Sequence, residues 1–77
     1  PNLIDVIIKF NSVIWQYKKK KGMSLKDQLS LVLAPKKIEP FAKDLKKMHR
    51  IKKFVFDQKF IEKEKMISIG EGVFVRE

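Results

Sequence analysis

The chain has 77 residues, with 18 Lys or Arg against 9 Asp or Glu, a net charge of +9. At this length it forms one domain at most, and it buries only about 60% of its unfolded surface. It has no cysteine and one histidine, His49, so a disulfide framework is excluded and a zinc or iron site of imidazole and thiolate ligands nearly so.

The apolar residues from Leu3 to Tyr17 are interrupted by Asp5, Lys9, Asn11, Ser12 and Gln16. That stretch is too short and too polar to span a membrane. No basic region followed by an apolar run and a small-residue cleavage site is visible, so no signal peptide is expected. The chain begins at Pro1 and opens directly into a helical pattern, which reads as a fragment of a longer protein. The absence of cysteine fits a reducing cytoplasm. The charge is uneven: residues 18–26 carry net +5 and residues 36–53 net +6, while residues 1–17, 27–35 and 54–77 carry 0, −1 and −1. Two dense cationic blocks flanking one apolar run favour a polyanionic partner.

Leu3, Ile7, Phe10, Ile14 and Tyr17 recur at spacings of 4, 3, 4 and 3, which is one face of an α-helix. Ile4, Ile8 and Trp15 widen that face on one side, Val6 and Val13 on the other. The apolar arc exceeds what so small a domain needs, so part of it is expected to pack on another helix or to form a dimer. Asn2 is placed to cap the helix, and Gly22 to end it in a left-handed conformation. Met23 to Gln28 is a connector in which Ser24 and Asp27 form either a capping box or a turn. Leu29 to Ala34 is almost wholly apolar and reads as a central strand buried on both faces. A second helix opens over Pro35–Pro40 and keeps Ile38, Phe41, Leu45 and Met48 on one face, with Ala42 and His49 beside them. Ile51 to Phe56 reads as a second strand, making a βαβ crossover. Asp57 to Lys65 is a charged connector carrying Phe60 and Ile61. Met66–Ile69 and Val73–Val75 flank Gly70-Glu-Gly72 as a hairpin with a three-residue loop. The expected fold is α+β: a long N-terminal amphipathic helix packed on a small mixed sheet, in the order α-β-α-β-β-β.

Catalysis finds little support. His49 sits among Lys46, Lys47 and Arg50 with no sequence-near carboxylate to orient it, and reads as a helix-end histidine. Ser12, Ser24, Ser30 and Ser68 lack a nucleophile-elbow context. Gly70-Glu-Gly72 lacks the third glycine and following helix of a phosphate-binding loop. Met23, Met48 and Met66 read as gap-fillers. Lys18, Lys19, Lys20 and Lys21 fan around more than one helical turn, so only two or three can face one phosphate backbone. With Lys26, Lys36 and Lys37 they make a strip of candidate phosphate contacts. Such contacts position a nucleic acid without reading its sequence. Phe10 and Phe41 are expected in the core. Phe54 and Phe56 share one strand face and also read as core, which leaves Trp15 and Tyr17 as the better candidates for stacking on bases. The lysines cluster at one end of the helix and do not flank its apolar face, which disfavours a membrane surface.

The run Ile14-Trp-Gln-Tyr-Lys-Lys-Lys-Lys-Gly-Met-Ser-Leu25, continued by Leu31-Val-Leu-Ala-Pro35, resembles the C-terminal region of archaeal-type valyl-tRNA synthetases. The match covers roughly residues 3–56. Lys26, Asp27 and Gln28 stand where the family often has Asn and Pro, and Trp15 or Gln16 where it often has Arg. A related class I synthetase for another aliphatic amino acid therefore stays open. The resemblance implies that residues 1–22 are a helix leaving the anticodon-binding bundle and residues 23–77 an appended α/β subdomain that touches tRNA. It implies no catalytic residue, metal or cofactor in this stretch. ATP and Mg would be bound elsewhere in a cytoplasmic parent ligase, and the partners would be tRNA and the remainder of the synthetase chain. A protein–protein or homodimer module docking through the apolar face of the first helix is the alternative.

Overall fold

The computed structural model describes residues 2–56 and 65–76. Helix α1 spans Leu3–Lys20. Strand β1 spans Leu29–Leu33, a 3-10 helix Lys36–Phe41, helix α2 Ala42–Met48 and strand β2 Ile51–Val55. Strands β3, Ile67–Gly70, and β4, Val73–Arg76, complete the order. The four strands form one sheet in the order β2-β1-β4-β3. β1 pairs parallel to β2 and antiparallel to β4, and β3 pairs antiparallel to β4. This is the expected α+β arrangement, with the crossover between parallel strands and β1 at the centre. The charged connector expected over Asp57–Lys65 lies, except for Lys65, outside the described residues.

Local chemistry sets the ends of α1. Asn2 Oδ1 accepts from the backbone N–H of Ile4 at 2.9 Å, satisfying one of the free donors of the first turn. At the other end Gly22 has φ +73°. Its N–H donates to the carbonyl of Lys19 at 3.1 Å, and that of Met23 to the carbonyl of Lys18 at 2.7 Å. This paired closure needs a left-handed residue, and only glycine takes that conformation freely.

Phe54, Val32, Val75 and Ile67 stand in register across the four strands, on one face of the sheet. α1 crosses that face. Phe10 stacks on Phe54 with ring centroids 5.6 Å apart, and Phe10 and Ile14 are fully buried. Ile38 and Leu45 of the crossover join the same cluster with Val32, Val73 and Val75. Full burial of each such side chain is worth about 1.5–3 kcal/mol, so this layer supplies most of the stability. Leu31 and Leu33 alternate to the opposite face and are buried as well. Apart from Ser30, which is exposed, β1 is thus covered on both sides, as its almost wholly apolar run predicts.

Three expectations need correction. The second helix does not begin as an α-helix: Lys36–Phe41 is 3-10, with Pro40 inside it, and the α-helix starts at Ala42. The change from about 3.0 to about 3.6 residues per turn breaks the predicted stripe. Ile38 and Leu45 stay inside, while Phe41 and Met48 turn out to solvent at 37% and 52% exposure. Met48 is therefore no gap-filler. The hairpin loop is also shorter than expected. Glu71 and Gly72, with φ +54° and +72°, form a two-residue turn. Gly70 belongs to β3, opposite Val73 at a register irregularity.

Candidate nucleic-acid interface

Lys18 lies four residues beyond Ile14 and eight beyond Phe10, on the buried face of α1. It is fully buried. Its ammonium group donates to the carbonyl of Leu25 at 3.0 Å and to that of His49 at 2.8 Å. Burial holds its pKa below the usual lysine value; Asp27 opposes that shift and Arg50 adds to it. Lys18 therefore leaves the set of phosphate-facing lysines. Its role is to tie the end of α1 to the connector and to the end of α2.

His49 completes this buried knot. Its Nε2 lies 2.6 Å from Asn11 Oδ1. An amide oxygen can only accept, so Nε2 carries the proton. Nδ1 is buried without a hydrogen-bond partner among the described residues. The ring meets Phe10 edge-on at 5.5 Å and Trp15 at 5.5 Å. Burial first, then the charge of Lys18, push its pKa down to about 4. It is neutral at pH 7, held by an amide and not by a carboxylate. Among the described residues no group of three or more His, Asp or Glu is placed to hold a metal ion.

Lys19, Lys20, Lys21, Lys26, Lys36 and Lys37 are all exposed. The structure does not gather them into one strip. Lys26 precedes the start of β1, whereas Lys36 and Lys37 follow its end, a strand length of roughly 15 Å away. Lys20 and Lys21 border a crevice of about 450 Å³ with Val13, Gln16, Tyr17 and Ile67–Ile69. Lys21 also shares a smaller crevice with Tyr17, Gln28, Ser30 and Arg76. Lys19–Lys21 and Lys26 thus stand at the end of the sheet where β1 begins.

The crossover brings further cations to that end. α2 runs back along the sheet, so its C-terminus lies beside the starts of β1 and β2. The N–H of Leu29 donates to the carbonyl of Arg50 at 2.9 Å, fixing this junction. A groove of about 1030 Å³ opens here, lined by Leu25, Lys26, Gln28, Lys43, Lys46, Lys47, Met48, Arg50 and Ile51. No carboxylate lines it among the described residues. Lys43, Lys46 and Lys47 recur at 3 and 1 on one face of α2, a spacing that the sequence shows plainly, and Arg50 follows just past the helix end. Nothing in the sequence alone brings that face into one groove with Lys26; the crossover does. The connector is held as a turn: the N–H of Ser24 donates to Asp27 Oδ2 at 2.8 Å, and the N–H of Asp27 to the carbonyl of Ser24 at 3.0 Å. Both negative helix ends point to this region, where lysines are favoured.

Of the aromatic residues, Trp15 is 43% exposed and Tyr17 half-buried. Phe54 is half-buried between Phe10 and Phe56, whose ring lies 4.7 Å away. It supports the core and is no open platform. No helix among the described residues is long and apolar enough to cross a membrane.

Over 50 residues this chain is 44% identical to a protein of the archaeon Pyrobaculum aerophilum. That protein is a valine--tRNA ligase. The chain is thus similar to a protein of the family that the basic run and the strand after it resemble. The matched stretch is 64% of this chain and 6% of the ligase, so the chain spans a small part of that enzyme's length. No protein-family model and no solved structure matches the chain.

Proposed function

We propose that the chain is a non-catalytic, tRNA-contacting subdomain of a valine--tRNA ligase, lying beside the anticodon-binding bundle in the C-terminal region. The observation that carries this reading is the 44% identity to such a ligase. The exposed cations at the end of α1 support it. Lys19, Lys20, Lys21 and Lys26 hold the tRNA backbone in register, with Lys36 and Lys37 meeting a separate stretch of it. ATP, Mg and the chemistry of aminoacylation belong to other parts of a cytoplasmic parent enzyme. Each phosphate neutralised gives a log–log salt slope of roughly −0.7 to −0.9. The test is tRNA binding by the Lys19→Ala, Lys20→Ala, Lys21→Ala triple variant. Affinity falls at low salt while the circular dichroism spectrum is kept. Unchanged affinity would refute the assignment.

One observation favours a second reading. Ile4, Ile8 and Trp15 are 62%, 58% and 43% exposed on one side of α1, with Leu3 at 37%. This stripe suits docking on the remainder of the synthetase or on a second copy of the chain. Light scattering that finds a concentration-dependent dimer without RNA affinity would select it.

A further inference from the structure

We infer that the groove between the β1 connector and α2 is a binding site for unpaired RNA, two or three nucleotides long. The inference rests on the reading that the chain handles RNA but, Lys26 apart, on different side chains. Five cations, Lys26, Lys43, Lys46, Lys47 and Arg50, surround a cleft of about 1030 Å³. A polyanion is the complementary ligand. The lysines of α2 repeat along successive turns, and Lys26 of the connector lines the same groove. A linear chain of phosphates fits that arrangement better than a single anion does.

The apolar lining distinguishes unpaired RNA from a duplex. Leu25 and Met48 are 59% and 52% exposed inside this basic rim. A duplex keeps its base faces stacked and offers only phosphates, sugars and base edges, which give apolar side chains little to cover. An unstacked base does: thioethers make favourable contacts with aromatic rings, and an arginine plane stacks on bases. Met48 and Arg50 supply both beside the phosphate-binding lysines.

The backbone of Arg50 is a second, independent sign. Its φ is +56°, at the position just past the end of α2 where glycine normally stands. A left-handed conformation is costly for a residue with a Cβ. A glycine would close α2 at lower cost. Lys65 and Glu71 share a positive φ, but of the three only Arg50 lines the groove, where its guanidinium adds a cation. Strain of this kind concentrates where a side chain is used.

The test uses the 77-residue chain and three probes read by anisotropy: a labelled ten-nucleotide oligouridine, a blunt RNA duplex, and vesicles containing phosphatidylserine. Wild type is expected to prefer the oligouridine. The Lys43→Ala, Lys46→Ala, Lys47→Ala variant should lose about a hundred-fold in oligouridine affinity at ~0.1 M salt, with the slope reduced by about 2. Arg50→Gly should bind about five-fold more weakly, by the same counting of one contact, yet unfold at the same or higher urea concentration. Oligouridine affinity unchanged in both variants overturns the inference. So does a preference for duplex or vesicles. If oligouridine binding fails while tRNA binding still depends on Lys19–Lys21, the groove assignment falls and the tRNA reading survives.

Discussion

Replacing Lys18 by Met removes the ammonium group and keeps most of the buried stem. The carbonyl of His49 then loses its bond from Lys18 in a buried site, and that of Leu25 in a partly buried one. An acceptor stranded in the interior costs about 1–3 kcal/mol, whereas one that reaches water costs about 1 or less. Part of this is offset because a desolvated cation is no longer held inside. The net loss expected is about 2 kcal/mol. For a domain of this size that lowers the melting temperature by roughly 10 °C. Urea and thermal unfolding at pH 7 measure it, with Lys19→Met and Lys20→Met as controls expected within about 0.5 kcal/mol of wild type. Lys18→Met should leave RNA affinity unchanged wherever the protein is still folded. Wild-type stability together with weakened RNA binding would refute the structural role and return Lys18 to the surface.

Acid should unfold the domain through His49. Its folded pKa is about 4 against a reference of 6.5, so the unfolded chain takes up the proton first. The stability is complete above pH 6.5 and falls as the pH drops toward 4, by at most about 3 kcal/mol. An imidazole Hε1 signal that titrates near 6.5 in the folded protein would contradict this. Gly22→Ala meets empty space but must hold φ +73°, and should cost about 1 kcal/mol in urea midpoint measurements. Gly72→Ala adds a Cβ contact of 3.4 Å with Pro35 at φ +72°, so it should be at least as damaging; a neutral effect would show that the hairpin relaxes.

The layout of the fold was readable because its signals are local. The Phe10–Ile14 spacing, the Gly22 stop, the apolar β1 run and the glycine-centred hairpin each specify one element from a few neighbouring residues. What could not be read arises where elements meet. Lys18 looks like one of four equivalent lysines until the register of α1 places it over the end of α2. Its distance of four from Ile14 was the available sign, overridden by the strong preference of lysine for water. Asn11 and His49 are 38 positions apart, and no pattern within either segment joins them. The exposure of Phe41 and Met48 follows from a 3-10 turn that Pro40 permits but does not dictate. The cationic groove depends on a crossover that returns α2 to the start of β1, so its walls are linked by topology and not by spacing.

The most direct measurement is an NMR titration of the isotopically labelled chain with a valine tRNA transcript at ~0.1 M salt. Shifts should concentrate at Lys19–Lys21, Lys26 and Lys46–Arg50, where both helices end and β1 begins, and should fade as salt rises. Shifts confined to the Leu3–Ile8 stripe, or none at all, would contradict an RNA-binding role for this end of the sheet.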